Sequence, residues 1–291
     1  MITIKSSVIT ADIDETGAQL TRLASKSTEY LWNGNPEIWK KHAPVLFPFA
    51  GRLLDEKFIY RGREYGSVPI HGFAPYARYI PENVTENSVR MRMVVSDDIR
   101  AIWPFDFEFS VLFVSEDHTL HITYIVKNCG KETMIYGIGS HPGFNVPLTE
   151  GLEFEDYYIE FPYSGKVMRN LMSDIYLNAE KQVPFTGLDG NRLKLRHNLF
   201  DNDAVILSDT GNTAVIASDK DSKKITVHYP DTRYCALWHK VKMNVPFVCI
   251  EPWTSLPGFT DKVTDLEQKD DYNRLESGKT KEHHLDITIT E

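Results

Sequence analysis

Phe105, Phe107, Phe109, Val111 and Phe113 occupy every second position of one stretch, and after Glu116-Asp117-His118 the series resumes as Leu120, Ile122, Tyr124 and Val126. A period of two puts every large apolar side chain on one face of an extended strand, a pattern no helix accommodates. Two such runs joined by a short polar turn predict a long antiparallel pair whose apolar face needs a second layer to cover it. Further strand signals recur at 157–161, 192–195, 204–207, 213–217, 225–228, 234–238, 247–251 and 285–290. Between them there is no helical rhythm of the kind that makes βαβ units. The expected fold class is therefore all-β, a large antiparallel β-sandwich with a few short helices. No repeat, linker or low-complexity tract interrupts the chain, so residues 1–291 read as a single domain.

Local chemistry refines this outline. Residues 2–13 alternate well enough for one or two opening strands, and Phe58-Ile59-Tyr60 and Glu64-Tyr65 flank Arg61-Gly62-Arg63 as a hairpin. Short helices are expected at 37–41 after Pro36, after the cap Ser96-Asp97-Asp98 with a stop at Trp103-Pro104, and around the capping-box pattern Thr264-Asp265-Leu266-Glu267. Pro44 and Pro48 remove ladder donors, so 44–49 is expected to approach Gly51-Arg52 as an irregular buried segment.

Charge and cysteine content narrow the function classes. The net charge of −9 arises from 41 acidic and 32 basic residues without a Lys/Arg block, which argues against nucleic acid as a partner. No apolar stretch approaches the roughly 18 residues of a membrane span, so no membrane partner is expected. Cys129, Cys235 and Cys249 show no CxxC spacing and read as buried strand residues rather than a disulfide framework or zinc cluster. These features, with an opening that lacks a leader pattern, describe a soluble protein of a reducing cytoplasm, cytoplasmic in location and of open oligomeric state.

Four motifs set a reactive polar residue beside glycine or proline and an aromatic: Gly51-Arg52, His71-Gly72-Phe73, His141-Pro142-Gly143-Phe144 and Glu251-Pro252-Trp253. Pro142 and Gly143 predict that the backbone turns after His141, leaving the imidazole at a strand end. Glu251 closes the apolar run Phe247-Val248-Cys249-Ile250, so its carboxylate is expected to be desolvated and its pKa raised, a useful state for proton transfer. Asp203, between a polar loop and an apolar run, is a weaker fifth candidate whose residues alone favour a helix or turn cap. Phe73, Phe144 and Trp253 serve either as core or as flat faces for the C–H surface of a sugar. His118, His121, His197, His283 and His284 read as surface residues, and His42, His228 and His239 carry no assignment. His71, His141 and Glu251 could alternatively form a His₂Glu metal site, but no compact ligand spacing supports it.

His71-Gly72-Phe73, Ser140-His141-Pro142-Gly143-Phe144 and Cys249-Ile250-Glu251-Pro252-Trp253 resemble, in order, the motifs of the aldose 1-epimerase (galactose mutarotase-like) family, and Leu46-Phe47-Pro48-Phe49-Ala50-Gly51-Arg52 resembles its LacX-type branch. The resemblance implies the family's supersandwich fold, a sugar cleft on one sheet, and neither metal nor organic cofactor. It implies Glu251 as general base, His141 as general acid, and His71, Arg52, Asp203, Phe144 and Trp253 as substrate-binding residues. The reaction it implies interconverts α and β anomers of an aldose by ring opening and closure, with Glu251 ionised and His141 protonated at the outset. Ala50-Gly51-Arg52 departs from the Asn-Arg of galactose mutarotases, so the sugar stays open. With Arg52 the one well-placed cation, unphosphorylated aldoses are expected, against alternatives of a hexose-phosphate mutarotase or a non-catalytic carbohydrate-binding sandwich.

Overall fold

The computed structural model describes residues 1–291 as two large antiparallel sheets with few helical turns. The nine-stranded sheet runs from the edge strand Arg192–Lys194 through Tyr157–Glu160, Thr213–Ser218, Asp221–His228, Thr280–Thr290, Thr119–Asn128, Phe107–Glu116 and Ser88–Met93 to Tyr79–Glu82. The predicted long pair is its centre: Val126 faces Phe109, Tyr124 faces Val111 and Ile122 faces Phe113. The second sheet orders Asn178–Pro184, Met168–Met172, Val205–Ser208, Tyr234–Trp238, Phe247–Trp253, Gly139–Ser140 and Val45–Leu46, with Gly143–Asn145 also pairing to Phe247–Trp253. Three small sheets complete the fold, one of them built from Ile2–Lys5, Thr10–Ile13 and Leu20–Ala24.

Between the large sheets lies one cluster of 67 buried apolar residues, reaching from Ile4 to Ile289. Phe109, Val111, Phe113, Leu120, Ile122 and Val126 supply one wall, and Val205, Leu207, Leu237, Val248 and Ile250 the other. Each such side chain contributes on the order of 1.5–3 kcal/mol relative to exposure, so the alternation read in the sequence is what holds the layers together. The opposite face of the second sheet is free to carry other chemistry.

Several local expectations need correction. Residues 37–41 form no helix: a turn spans 36–38 and the chain is irregular from 39 to 41. Near 264–268 only a 3₁₀ turn forms, Leu266–Gln268, and its cap is Asp265, whose carboxylate accepts the Glu267 N–H, rather than Thr264. Cys129 is exposed, unlike Cys235 and Cys249. His283 is buried, hydrogen-bonded to the Tyr136 hydroxyl at 3.0 Å. The strands Met168–Met172 and Asn178–Pro184 escape sequence reading because the outer one is an edge whose middle residues are all exposed, which removes the alternation. No helix is long and apolar enough to cross a membrane.

Phe144, expected to face sugar, belongs to the core. It pairs with Val248, and residues directly opposite in a ladder share a face. Val248 faces the inter-sheet cluster, so Phe144 does too, at 0 % exposure. Phe144→Ala is expected to lower the unfolding free energy by about 3–5 kcal/mol in urea titrations. A loss below about 1 kcal/mol, ordinary for a surface site, would contradict this placement.

Candidate active site

Along Phe247–Trp253 the residues of even number face the core, which leaves Cys249, Glu251 and Trp253 on the outer face. Gly139 pairs with Trp253 and Gly143 with Cys249, and that register continued across the gap places His141 directly opposite Glu251. The backbone therefore does not turn at 142–143 as expected. It runs on extended, with the Ile250 N–H still donating to the Pro142 carbonyl at 3.3 Å although Pro142 has no N–H to return. His141 Nε2 lies 3.3 Å from Glu251 Oε2, with both residues buried.

The flanking glycines serve space rather than curvature. A Cβ on Gly139 would meet Trp253 Cδ1 at 2.7 Å, and one on Gly143 would meet Trp39 Cζ3 at 3.0 Å. Trp39, admitted by Gly143, stacks on the His141 ring at 5.0 Å between centroids, Trp238 meets that ring edge-on at 5.5 Å, and Trp253 meets the His71 ring at 6.2 Å. On the neighbouring strand Ala236 lies opposite Glu251, a small residue beside the carboxylate.

His71 and Gly51 are tied together from two sides. The Gly51 N–H donates to His71 Nδ1 at 3.0 Å, and the His71 N–H donates to the Gly51 carbonyl at 2.9 Å. A backbone N–H can only donate, so Nδ1 is the acceptor and the neutral ring carries its proton on Nε2. Gly51 has a φ of +77°, and a Cβ there would lie 2.5 Å from Pro257 Cγ, which explains glycine before Arg52. The Arg52 carbonyl in turn accepts the Gly258 N–H at 2.7 Å.

These residues converge on a cleft of about 330 Å³ lined by Arg52, His71, His141, Asp203, Glu251 and Trp253. Six of the seven sequence candidates therefore meet, and Phe144 does not. Trp39, Trp238, Lys41 and Lys240 also line it and were missed. Trp238 carried a usable signal, since it shares parity with Ala236 on a strand next to Glu251. Lys41 and Lys240 stand in irregular segments where no period applies.

Burial dominates the electrostatics. It pushes the His141 imidazole down to about 3 and holds His71 well below its usual value, the latter reinforced by the charges of His141, Lys41 and Arg52. Burial also drives the Glu251 carboxyl well above its usual range, with the Asp203 charge adding and the Trp253 indole opposing. Asp203 is raised by burial as well, against the Trp238 indole, the Ala204 N–H, Arg52 and Lys240. A desolvated acid and base in contact thus favour a state in which one proton is held between two neutral partners, rather than the ion pair expected from sequence.

Donor atoms of His141, Cys249 and Glu251 lie within 4.8 Å of one another, a different trio from the His71, His141 and Glu251 considered from sequence. Burial keeps the Cys249 thiol well above its usual pKa, so an ion would have to displace its proton.

Comparison with known proteins agrees with this architecture. Protein LacX (plasmid) of Lactococcus lactis subsp. lactis is 32% identical over 298 residues, covering 99% of each chain. A galactose mutarotase related enzyme from Lactobacillus acidophilus superposes with a TM-score of 0.94 at 32% identity, covering 100% of this chain and 97% of that one. A galactose mutarotase-like protein from Lactobacillus casei ATCC 334 gives 0.94 at 29% identity with 100% of both chains covered. Residues 1–267 match the profile of the aldose 1-epimerase family, and the chain belongs to that family.

Proposed function

We propose that the protein is an aldose 1-epimerase that interconverts anomers by moving one proton between Glu251, His141 and the sugar. The observation that carries this reading is the cross-strand contact of His141 Nε2 with Glu251 Oε2 at 3.3 Å on the buried floor of the cleft. In the ionic form of the pair, Glu251 takes the proton of the C1 hydroxyl and His141 gives one to the ring oxygen. The C1–O5 bond breaks and C1 becomes an aldehyde. The pair is then in its neutral form, with the proton on Glu251. Rotation about C1–C2 presents the other carbonyl face. On closure the O5 hydroxyl returns its proton to His141 as O5 bonds to C1, and Glu251 protonates the carbonyl oxygen.

The pair carries one proton and no net charge at both stages, and burial makes the neutral form the resting one. Reaching the ionic form requires only that the proton pass from Glu251 to His141 over 3.3 Å. Around this pair, His71 Nε2–H donates to sugar hydroxyls, Asp203 accepts from them, Arg52 presents its guanidinium to the substrate, and Trp39, Trp238 and Trp253 offer flat apolar faces.

Polarimetry of a freshly dissolved single anomer tests the assignment. Glu251→Gln keeps the shape but cannot take a proton, and its kcat is expected to fall by about 10²–10⁴-fold while sugar binding persists. His141→Asn is expected to lose a comparable factor. Asn at position 71 can still accept the Gly51 N–H but lacks the outward donor, so His71→Asn should lower kcat/KM by roughly 2–10-fold. Turnover by Glu251→Gln at the wild-type rate would sink the proposal.

A further inference from the structure

Arg52 was the one cation the sequence brought to the site, yet Lys41 and Lys240 line the same cleft. The three arise from separate segments of the chain and meet only in the fold. None is ion-paired, whereas Arg22, Lys57, Arg61 and Arg92 are bound to Glu29, Glu64, Glu132 and Glu82 on the surface. Lys41 Nζ is steadied by neutral groups, the Tyr76 hydroxyl at 3.1 Å and the Tyr76 ring at 4.3 Å. Arg61, Arg63 and Arg78, all exposed, lie outside the cleft lining as expected.

The lining contains two carboxylates, Asp203 and Glu251. Glu251 and His141 together are neutral when they share one proton, which leaves Asp203 as the anion against three cations. The cleft thus carries an excess of about two positive charges in a protein whose net charge is −9. A phosphate monoester carries about −1.5 to −2 at neutral pH and offers three acceptor oxygens, whereas a carboxylate offers one charge. Two ammonium groups and a guanidinium fork suit such a group, and a neutral sugar would leave the excess of about two positive charges without counter-charge.

We infer that this cleft takes a phosphorylated aldose, with C1 at His141 and Glu251 and the phosphate held by Lys41, Lys240 and Arg52. This deepens the epimerase reading by naming its substrate class, and reverses the expectation of an unphosphorylated sugar because that expectation counted Arg52 alone. It rests on the epimerase reading for where C1 lies, but not for the binding preference.

Calorimetric titration separates the two. Glu251→Gln, which leaves the three cations in place, is titrated with glucose and galactose, their 6-phosphates, and glucuronate, at two ionic strengths. The 6-phosphates are expected to bind at least about tenfold more tightly than the parent sugars and more tightly than glucuronate, with the margin shrinking as salt rises. Adding Lys41→Gln or Lys240→Gln should cut the ratio of phosphate to parent affinity by roughly tenfold. Undetectable binding of both phosphate esters, equal affinity with the parent sugars, glucuronate binding as tightly as the esters, or a ratio unchanged by both lysine substitutions would overturn the inference. Wild-type protein that binds the esters in this way but leaves every anomer untouched would overturn the epimerase reading alone.

Discussion

The site depends on a strand register. Phe247–Trp253 pairs with Gly139 on one side of His141 and with Gly143 on the other, so the imidazole and the Glu251 carboxylate meet as a cross-strand pair rather than as neighbours brought in by loops. A shift of one residue would turn Glu251 into the apolar core and bring Ile250 to the surface, at a cost the sandwich would not tolerate. The core therefore sets the position of the buried acid and base: Val248 and Ile250 anchor one face of the strand while Cys249, Glu251 and Trp253 occupy the other. The glycines at 139 and 143 complete the arrangement by admitting Trp253 and Trp39 on either side of His141.

Placing an acid and a base side by side in a dry environment suppresses charge separation at rest and makes transfer within the pair short. Donors that are held from behind surround it. The Gly51 N–H fixes the tautomer of His71, and Pro257 packed under Gly51 sets where Arg52 leaves the backbone. In such an arrangement the backbone, more than side-chain freedom, determines the direction of each polar group.

Much of this was legible in the residue order, and the failures have definite causes. The sandwich followed from the alternation of Phe107 to Phe113 and Leu120 to Val126, because burial of one face leaves little choice of structure. Trp253 is two residues from Glu251 and shares its face, as parity requires. Phe144 is three from His141 and, once the backbone is known to run straight through Pro142, parity assigns it to the core. The error lay in reading Pro142-Gly143 as a turn: proline removes a hydrogen-bond donor without forcing a reversal, and glycine there answers the bulk of Trp39. Trp39, Lys41 and Lys240 stand in segments without a period, and only the tertiary fold brings them to the cleft.

The pH dependence of kcat/KM tests most directly whether a buried one-proton pair does the chemistry. His141 gains a second proton only as pH falls toward about 3, and the pair gives up its last proton only well above the usual carboxyl value of 4.5, because burial raises Glu251. The active one-proton state therefore persists to lower pH than an ordinary carboxyl and imidazole would allow. With an unphosphorylated aldose as substrate, so that no phosphate titrates, the account predicts a rate that does not fall as pH drops through 6.5, the usual imidazole value, and that holds down to the lowest pH at which the protein stays folded. A rate that declines through 6.5 on acidification, as for an exposed histidine that must be neutral, would contradict it.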